Sequence, residues 1–353
     1  MTETHETPKS IRLEGLDVAR YFAFVGMVIV NFKIAMGAEN GGGLLSFLTT
    51  ALEGRAAATF VVLAGIGLGL AGQRGLNNTI FVTIKRAVFV LVVGLLNMTV
   101  FDADILHYYA FYFLFGVPLL AMNRKGLFGV LIGLNLAFVF MILTLNYDAG
   151  WNWENYTYSD FWTPVGFIRN LFFNGWHPVI PWLGFLTFGI ILSRVSLGER
   201  ATQVKLIIGG ATMVALAEGI SMLLKDALLP NDPELMALVT TGPVPPMPLY
   251  TLAGLGVSCV VVGFCLLISQ HLKPNGILHI LVPAGRQTLT LYIAHIFVGM
   301  GTLEALGMLG HQTVGKALMA SLLFCLLATV YALIWARWFK RGPIEMVMRK
   351  LAG

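Results

Sequence analysis

Charge is what this sequence has least of. Only 12% of its 353 residues are Asp, Glu, Lys or Arg, against ~25% in soluble domains, while 57% are hydrophobic and mean hydropathy is +0.79. A chain this poor in charge cannot cover a water-facing surface, so an integral membrane protein is expected. Cysteine is nearly as scarce. Cys259, Cys265 and Cys325 each fall inside an apolar run and form neither a disulfide framework nor a metal-ligand spacing, so no metal is expected. The sequence also lacks a nucleophile elbow, a zinc-spaced His/Cys cluster and a phosphate-binding glycine loop. Any chemistry must come from residues dispersed over several helices. A cleaved leader is not expected, because the first fifteen residues mix Glu3, Glu6, Lys9, Arg12 and Glu14 and no small-residue cleavage pattern follows the first apolar run. The formal net charge of +5 would point to nucleic acid in a soluble protein; here it reflects Lys and Arg in loops, and no nucleic-acid partner is expected.

About ten apolar runs are present, near 16–36, 51–73, 79–101, 105–122, 125–147, 178–197, 202–226, 248–271, 281–304 and 316–339. The expected fold is therefore all-α and polytopic. Under alternating sidedness one face collects 18 of the 23 Lys and Arg residues, and the other keeps Lys33, Arg55, Arg169, Lys225 and Lys316. This asymmetry places both termini in the cytoplasm. The expected division is a cytoplasmic segment over 1–15, a helical membrane domain over 16–340, and a cytoplasmic segment over 341–353. Two long outer loops interrupt the domain at 148–177 and 227–247. The first carries Trp151, Trp153, Tyr156, Tyr158, Phe161, Trp162 and Trp176, which suits a membrane–water interface and equally a cleft for a sugar or lipid head group. The glycines Gly65, Gly67, Gly69 and Gly72 are expected to thin the second span for close helix packing.

Polar residues in such runs need a reason. In the stretch Pro283–His295, Arg286 lies near one end of a span, and His295, nine residues on, is ~13 Å deeper. A charged group near the bilayer centre costs at least ~2.5–3.5 kcal/mol, so both are functional candidates and together mark a path inward. Asp17 and Arg20 share a helix face at the inner start of the first span. Arg20, Lys85, Arg86, Arg194 and Arg286 all lie at inner helix ends; converging, they would form a cationic mouth for the phosphates of a nucleotide or coenzyme A, and apart they would fix topology. On the outer side stand Glu53 and Arg55, the three-apart pair Asp104 and His107, and His177 ahead of Trp182. A carboxylate orienting an imidazole suits a general base, and suits a structural hydrogen bond as well. Glu218 lies inside the seventh span.

Several of these residues fall in motifs that resemble the YeiB-like family of multispanning bacterial proteins. Leu16-Asp17-Val18-Ala19-Arg20 with an apolar run to Asn31 resembles its opening. Asp104-Ile105-Leu106-His107-Tyr108-Tyr109-Ala110, His177 to Phe185, Gly285 to Tyr292, and Gly342-Pro343-Ile344-Glu345 with Arg349 resemble four further elements in the same order. The wider superfamily includes transmembrane acyltransferases, among them the heparan glucosaminide acetyltransferase and bacterial acyltransferases of surface glycans. The resemblance implies a bacterial inner-membrane, multi-pass protein that takes an acyl group from cytoplasmic acyl-CoA to a hydroxyl or amine acceptor outside, on a glycan or lipid head group. On that reading His295 or His107 is the base and Asp104 orients His107. Arg20, Arg286 and Asp17 form the donor site, and His177, Trp182, Glu53 and Arg55 the acceptor side. Residues 32–50 contain no histidine where the family's acetyltransferase places its catalytic one, so that role passes to His107, His177 or His295. The alternative is a transporter or lipid-handling protein in which Glu218 and His295 form a relay; a scaffold is the third reading. The bilayer is the expected partner, and a homodimer is compatible with the sequence.

Overall fold

The structure, a computed structural model, describes residues 13–38, 42–228 and 233–353. Glu3, Glu6, Lys9, Arg12, Glu39, Asn40 and Asp232 lie outside the described residues. The chain forms α1 (Glu14–Ala35), α2 (Leu44–Thr50), α3 (Arg55–Arg74), α4 (Leu76–Asn97), α5 (Leu106–Leu119) and α6 (Arg124–Thr144). A short ribbon of β1 (Trp151–Asn152) and β2 (Thr157–Tyr158) follows, then α7 (Pro164–Arg169) and α8 (Val179–Leu192). The rest comprises α9 (Arg200–Leu228), α10 (Pro233–Leu238), α11 (Pro248–Leu272), α12 (Ile277–Arg286), α13 (Thr288–Ala294), α14 (Gly301–Ala305), α15 (Val314–Ala336) and α16 (Pro343–Ala352). π-helical turns at Asn170–Asn174 and His295–Met300 join α7 to the α8 approach and α13 to α14.

Among the described residues eight helices are long and apolar enough to cross a bilayer, and a ninth span forms if the pair Pro164–Asn174 and Val179–Leu192, bent by 51°, counts as one. The all-α polytopic fold read from composition is the fold observed. Two expected spans differ in detail. The run 105–122 becomes α5, whose 14 residues reach only ~21 Å and are mostly buried by neighbouring helices. The run 281–304 is broken: α12 stops at Arg286, Gln287 leaves the helical region, and the apolar span begins at Thr288.

α1 runs through the interior, touching α3, α11, α12 and α15. α3 and α11 are the most buried spans, whereas α6 and α9 present rows of large apolar side chains outward, such as Leu136, Phe140, Ile208 and Leu223. With every backbone bond made inside the helix, such faces suit contact with lipid. α3 and α8 approach each other closely. A Cβ on Gly65 would strike the Leu186 carbonyl, and one on Gly189 would strike the Val62 carbonyl, so the two backbones meet directly. Gly69 likewise makes room for Ser193. Packing, as the sequence spacing indicates, is what these glycines serve.

The aromatic loop 148–177 packs on itself. Trp151 stacks on Trp153 at 4.5 Å and meets Trp176 edge-on at 4.9 Å. Asn174 is its polar centre: its amide donates to the Tyr147 and Ala149 carbonyls, and its oxygen accepts from the Tyr158 hydroxyl at 2.7 Å. Rings so engaged with one another form a folded cap, not an open cleft.

The break at Gln287 exposes the first N–H groups of α13 and therefore needs an acceptor. Glu345 of α16 supplies it, accepting from Leu289 N at 2.8 Å, Thr290 N at 3.1 Å and Thr290 Oγ1 at 2.5 Å. The Gln287 side chain donates to the Ala332 carbonyl at 2.9 Å. The carboxyl-terminal helix is thereby fastened to the broken span. Burial raises the Glu345 carboxyl above its ordinary 4.5, partly offset by these donors. A raised folded-state value contributes stability that is complete below about pH 4.5 and is lost as pH rises through it.

Two outcomes follow for detergent-solubilised protein. Gly65→Leu should lower stability by ~1–3 kcal/mol or more through overpacking, whereas Gly133→Ala on the open face of α6 should not, as thermal unfolding will report. The parent should lose melting temperature as pH rises from about 4.5, and Glu345→Gln, which cannot ionise, should lose that part of the slope; an unchanged slope would count against the burial argument.

Candidate functional site

A cavity of about 470 Å³ opens between α1, α3, α4, α5, α12, α13 and α16, within the ~300–1,000 Å³ range of ligand sites. Its mouth carries six cationic side chains, Arg20, Arg86, Arg286, Lys340, Arg341 and Arg349, against two carboxylates, Asp17 and Glu345. Asp17 is buried and organises two of them: Arg20 Nη1 donates to its Oδ1 at 2.6 Å and Arg286 Nε to its Oδ2 at 3.4 Å. That geometry requires Gly285, since a Cβ there would collide with the Asp17 carbonyl. Arg86 differs from both, because its buried Nε has no hydrogen-bond partner among the described residues. From Arg20 to Met27 the lining advances ~10 Å along α1 and turns apolar, through Leu63, Leu68, Val90 and Phe113.

The inner end of the cavity is closed by Tyr292, Ile105 and Met27, and these same three residues line a second cavity of about 50 Å³. Asn31, Gly54, Ala57 and His177 are among the other residues that line the smaller one. Behind Tyr292 and Ile105 lies Asp104, fully buried and lining neither cavity itself. Its Oδ1 accepts from Asn97 Nδ2 at 2.6 Å and from the Tyr292 hydroxyl at 3.1 Å. Its Oδ2 accepts from Leu106 N at 2.7 Å and His107 N at 3.2 Å, capping α5. Ile105 N donates to the Tyr292 hydroxyl at 3.3 Å.

His295 is also fully buried and belongs to the same group. Its Nδ1 contacts the Tyr292 carbonyl, which can only accept, so the proton sits on Nδ1. The Nε2 lone pair then takes the Asn31 amide at 3.0 Å. His107 is placed otherwise. Its Nδ1 is 3.4 Å from Asp104 Oδ2, longer than an ordinary N–H···O bond, and that oxygen is already engaged by two backbone donors. Its Nε2 is buried without a partner among the described residues, its ring packs against Tyr108 and Phe161, and it lines neither cavity. Asp104 thus caps a helix and holds Tyr292 more closely than it orients His107.

The remaining candidates separate. Asp17, Arg20 and Arg286 meet at the mouth, and His177 lines the smaller cavity. Trp182 is buried between His177, Phe185 and Tyr250, away from both cavities. Glu53 pairs with Lys33 at 2.7 Å, and Arg55 pairs with Glu218, both joined by Thr241. Glu218 is thus held by Arg55 and Thr241 while His295 is held by Asn31 and Tyr292, so the two share no partner among the described residues. Lys85 lies over the Phe81 ring and Arg194 holds the Met122 and Leu120 carbonyls, roles that fix helix ends. The mouth instead draws Arg86 and the carboxyl-terminal Lys340, Arg341 and Arg349. Tyr292, Asn31 and Asn97 escaped reading as site residues. The partners of Tyr292 and Asn31 are far away in the chain, 188 positions for Tyr292 to Asp104 and 264 for Asn31 to His295, so no local spacing could reveal them; Asn97 lies only 7 positions before Asp104, across the turn between α4 and α5.

No curated protein matches the chain. Residues 191–353 match a family described as "Protein of unknown function (DUF418)", and residues 12–229 match the family described as "Heparan-alpha-glucosaminide N-acetyltransferase, catalytic". The second match spans α1 to α9 and so contains Asp17, Arg20, Arg86 and Asp104, while the first contributes Arg286, Tyr292, His295 and Glu345. With more than half its length in the second match, this chain belongs to the heparan-alpha-glucosaminide N-acetyltransferase catalytic family, as a YeiB-like member of the transmembrane acyltransferase group.

Proposed function

We propose that the protein transfers an acyl group from acyl-CoA, bound in the larger cavity, to a hydroxyl or amine of an acceptor reached from the opposite face. The observation that carries this reading is the shape and charge of the larger cavity: a strongly cationic mouth leading to an apolar interior that ends beside a second, separate cavity. The diphosphate and 3′-phosphate of coenzyme A are suited to several guanidinium groups at once, which bind phosphate oxygens through paired N–H donors. Arg20 and Arg286 are held in place by Asp17, and Arg86 lines the cavity with its buried Nε unpartnered among the described residues. The pantetheine arm and the acyl group then occupy the apolar part. Excess Lys and Arg at this end favours a cytoplasmic orientation, where acyl-CoA is found.

His295 is the stronger choice of base. Acceptor attack on the thioester carbonyl releases a proton, and neutral His295 offers an Nε2 lone pair now held by Asn31, a lining residue of the smaller cavity. Neither histidine lines a cavity itself, but His295 reaches the smaller one through its bond to Asn31, whereas His107 Nε2 has no partner among the described residues. A cavity of about 50 Å³ admits one functional group and not a sugar ring, so the acceptor would enter only by its reacting hydroxyl or amine.

Acetyl-CoA, longer acyl-CoAs and free CoA should raise the melting temperature of the solubilised protein; a ligand at 100 times its Kd adds ~2.7 kcal/mol. Arg86→Ala should weaken that binding by about tenfold or more, the worth of a charge-assisted hydrogen bond. No shift with any CoA species would remove the donor site. In a transfer assay with a labelled donor and a hexosamine acceptor, His295→Ala should cut turnover by at least ~100-fold while leaving the CoA shift in place. His107→Ala should lower stability and leave turnover per folded molecule within about tenfold; the reverse order would move the base to His107.

A further inference from the structure

We infer that Tyr292 is the partition between the two cavities and that Asp104 is the positioning residue that keeps it closed. The partition stands on geometry; its bearing on acyl transfer rests on the function proposed above. Among the described residues only Met27, Ile105 and Tyr292 line both cavities, and of their side chains the phenol alone carries an O–H or N–H group. Its hydroxyl donates to Asp104 Oδ1 at 3.1 Å and accepts from Ile105 N at 3.3 Å, which fixes the ring across the passage. The Asp104 carboxylate is itself held, capping α5 through Leu106 N and taking the Asn97 amide. The element that carries Tyr292 is short. α13 has seven residues and lies between the break at Gln287 and the π-helical turn starting at His295. A span that starts at a break and carries a π-helical turn can readjust locally, so the ring has a backbone able to move it and a hydrogen bond that opposes the move.

The consequence is control of water. With the ring in place, a thioester in the larger cavity is screened from the other face. With the ring displaced, water entering through the smaller cavity forms a C–O bond at the acyl carbon as the C–S bond breaks. The carboxylic acid forms, and the proton lost by water goes to the thiolate, leaving free CoA. Tyr292 would therefore set the ratio of transfer to wasteful hydrolysis.

The test needs no acyl transfer. In full-length protein with Cys259, Cys265 and Cys325 replaced by alanine, Ala57→Cys places a thiol in the lining of the smaller cavity. The protein is reconstituted in vesicles, and a charged, membrane-impermeant methanethiosulfonate is added at the face bearing the cationic mouth. Labelling should be slow in this parent, at least tenfold faster with Tyr292→Ala, and intermediate with Tyr292→Phe, which keeps the ring but loses the bond to Asp104. Should Tyr292→Ala fail gel filtration, Tyr292→Phe and Tyr292→Leu carry the comparison. Equal labelling rates in parent and folded variants would overturn the partition. A second readout follows free CoA released from acetyl-CoA without acceptor, which should rise in Tyr292→Phe. If no CoA species binds, the function reading fails and the labelling result still decides the partition. If CoA binds and labelling does not change, the partition alone fails.

Discussion

Burying a carboxylate costs several kcal/mol unless donors surround it, and Asp104 is buried completely. The chain meets that demand from three directions. Asn97 comes from the end of α4, the N–H groups of Leu106 and His107 from the start of α5, and the phenol of Tyr292 from α13. One ionisable group thereby ties three helices at the point where the two cavities meet. Removing it would leave the helix cap, an amide and a phenol without their acceptor at once. The arrangement explains why α5 can be too short to span a bilayer and still be fixed, since its amino terminus is anchored by charge and not by lipid.

A second anchor works at the opposite end. α13 starts from a break, and its exposed N–H groups are satisfied by Glu345 from a helix beginning 55 residues later. That bond brings α16 to the mouth of the larger cavity, with Arg341 and Arg349 on its approach and its length. The carboxyl terminus is therefore part of the site. The two family matches divide the lining in the same way, with α1, α3, α4 and α5 from one and α12, α13 and α16 from the other. Neither half builds the cavity alone.

Much of the fold was legible because lipid imposes a simple rule. A helix must be long and apolar to cross a bilayer, and composition alone reveals such runs. The rule failed where a span was not what satisfied the backbone. The run at 105–122 gives a helix that Asp104 holds at its start and that stops at Leu119, one residue after Pro118, and the run at 281–304 is broken where Glu345 supplies an acceptor from far along the chain. The site was legible in its charges and less so in its neutral groups. Asp17, Arg20 and Arg286 stand out in apolar sequence because ionisable residues there are costly. Tyr292 and Asn31 carry no such mark, being neutral residues common in membrane helices. His107 shows the limit of spacing as evidence: three residues from Asp104 puts it on the right face, yet the carboxylate spends its oxygens on backbone donors first.

The proposed reaction places an unusual demand on a membrane protein, because an acyl group must cross while ions and water must not. A continuous channel would satisfy the first requirement and defeat the second. Two cavities of very different size, divided by Tyr292 with Met27 and Ile105, satisfy both. The donor is large and highly charged, and needs a wide mouth with many guanidinium groups. The reacting end of an acceptor is small and needs room for one functional group. What has to pass between them is only the acyl carbon and its chain, over the thickness of one side chain. Helix packing makes so thin a wall feasible. Direct backbone contact between α3 and α8 at Gly65 and Gly189 draws the surrounding helices close, so the barrier at the centre of the bundle can be a few side chains deep. A bulkier interface there would leave either a wider passage or a longer one, and both would work against transfer across a sealed membrane.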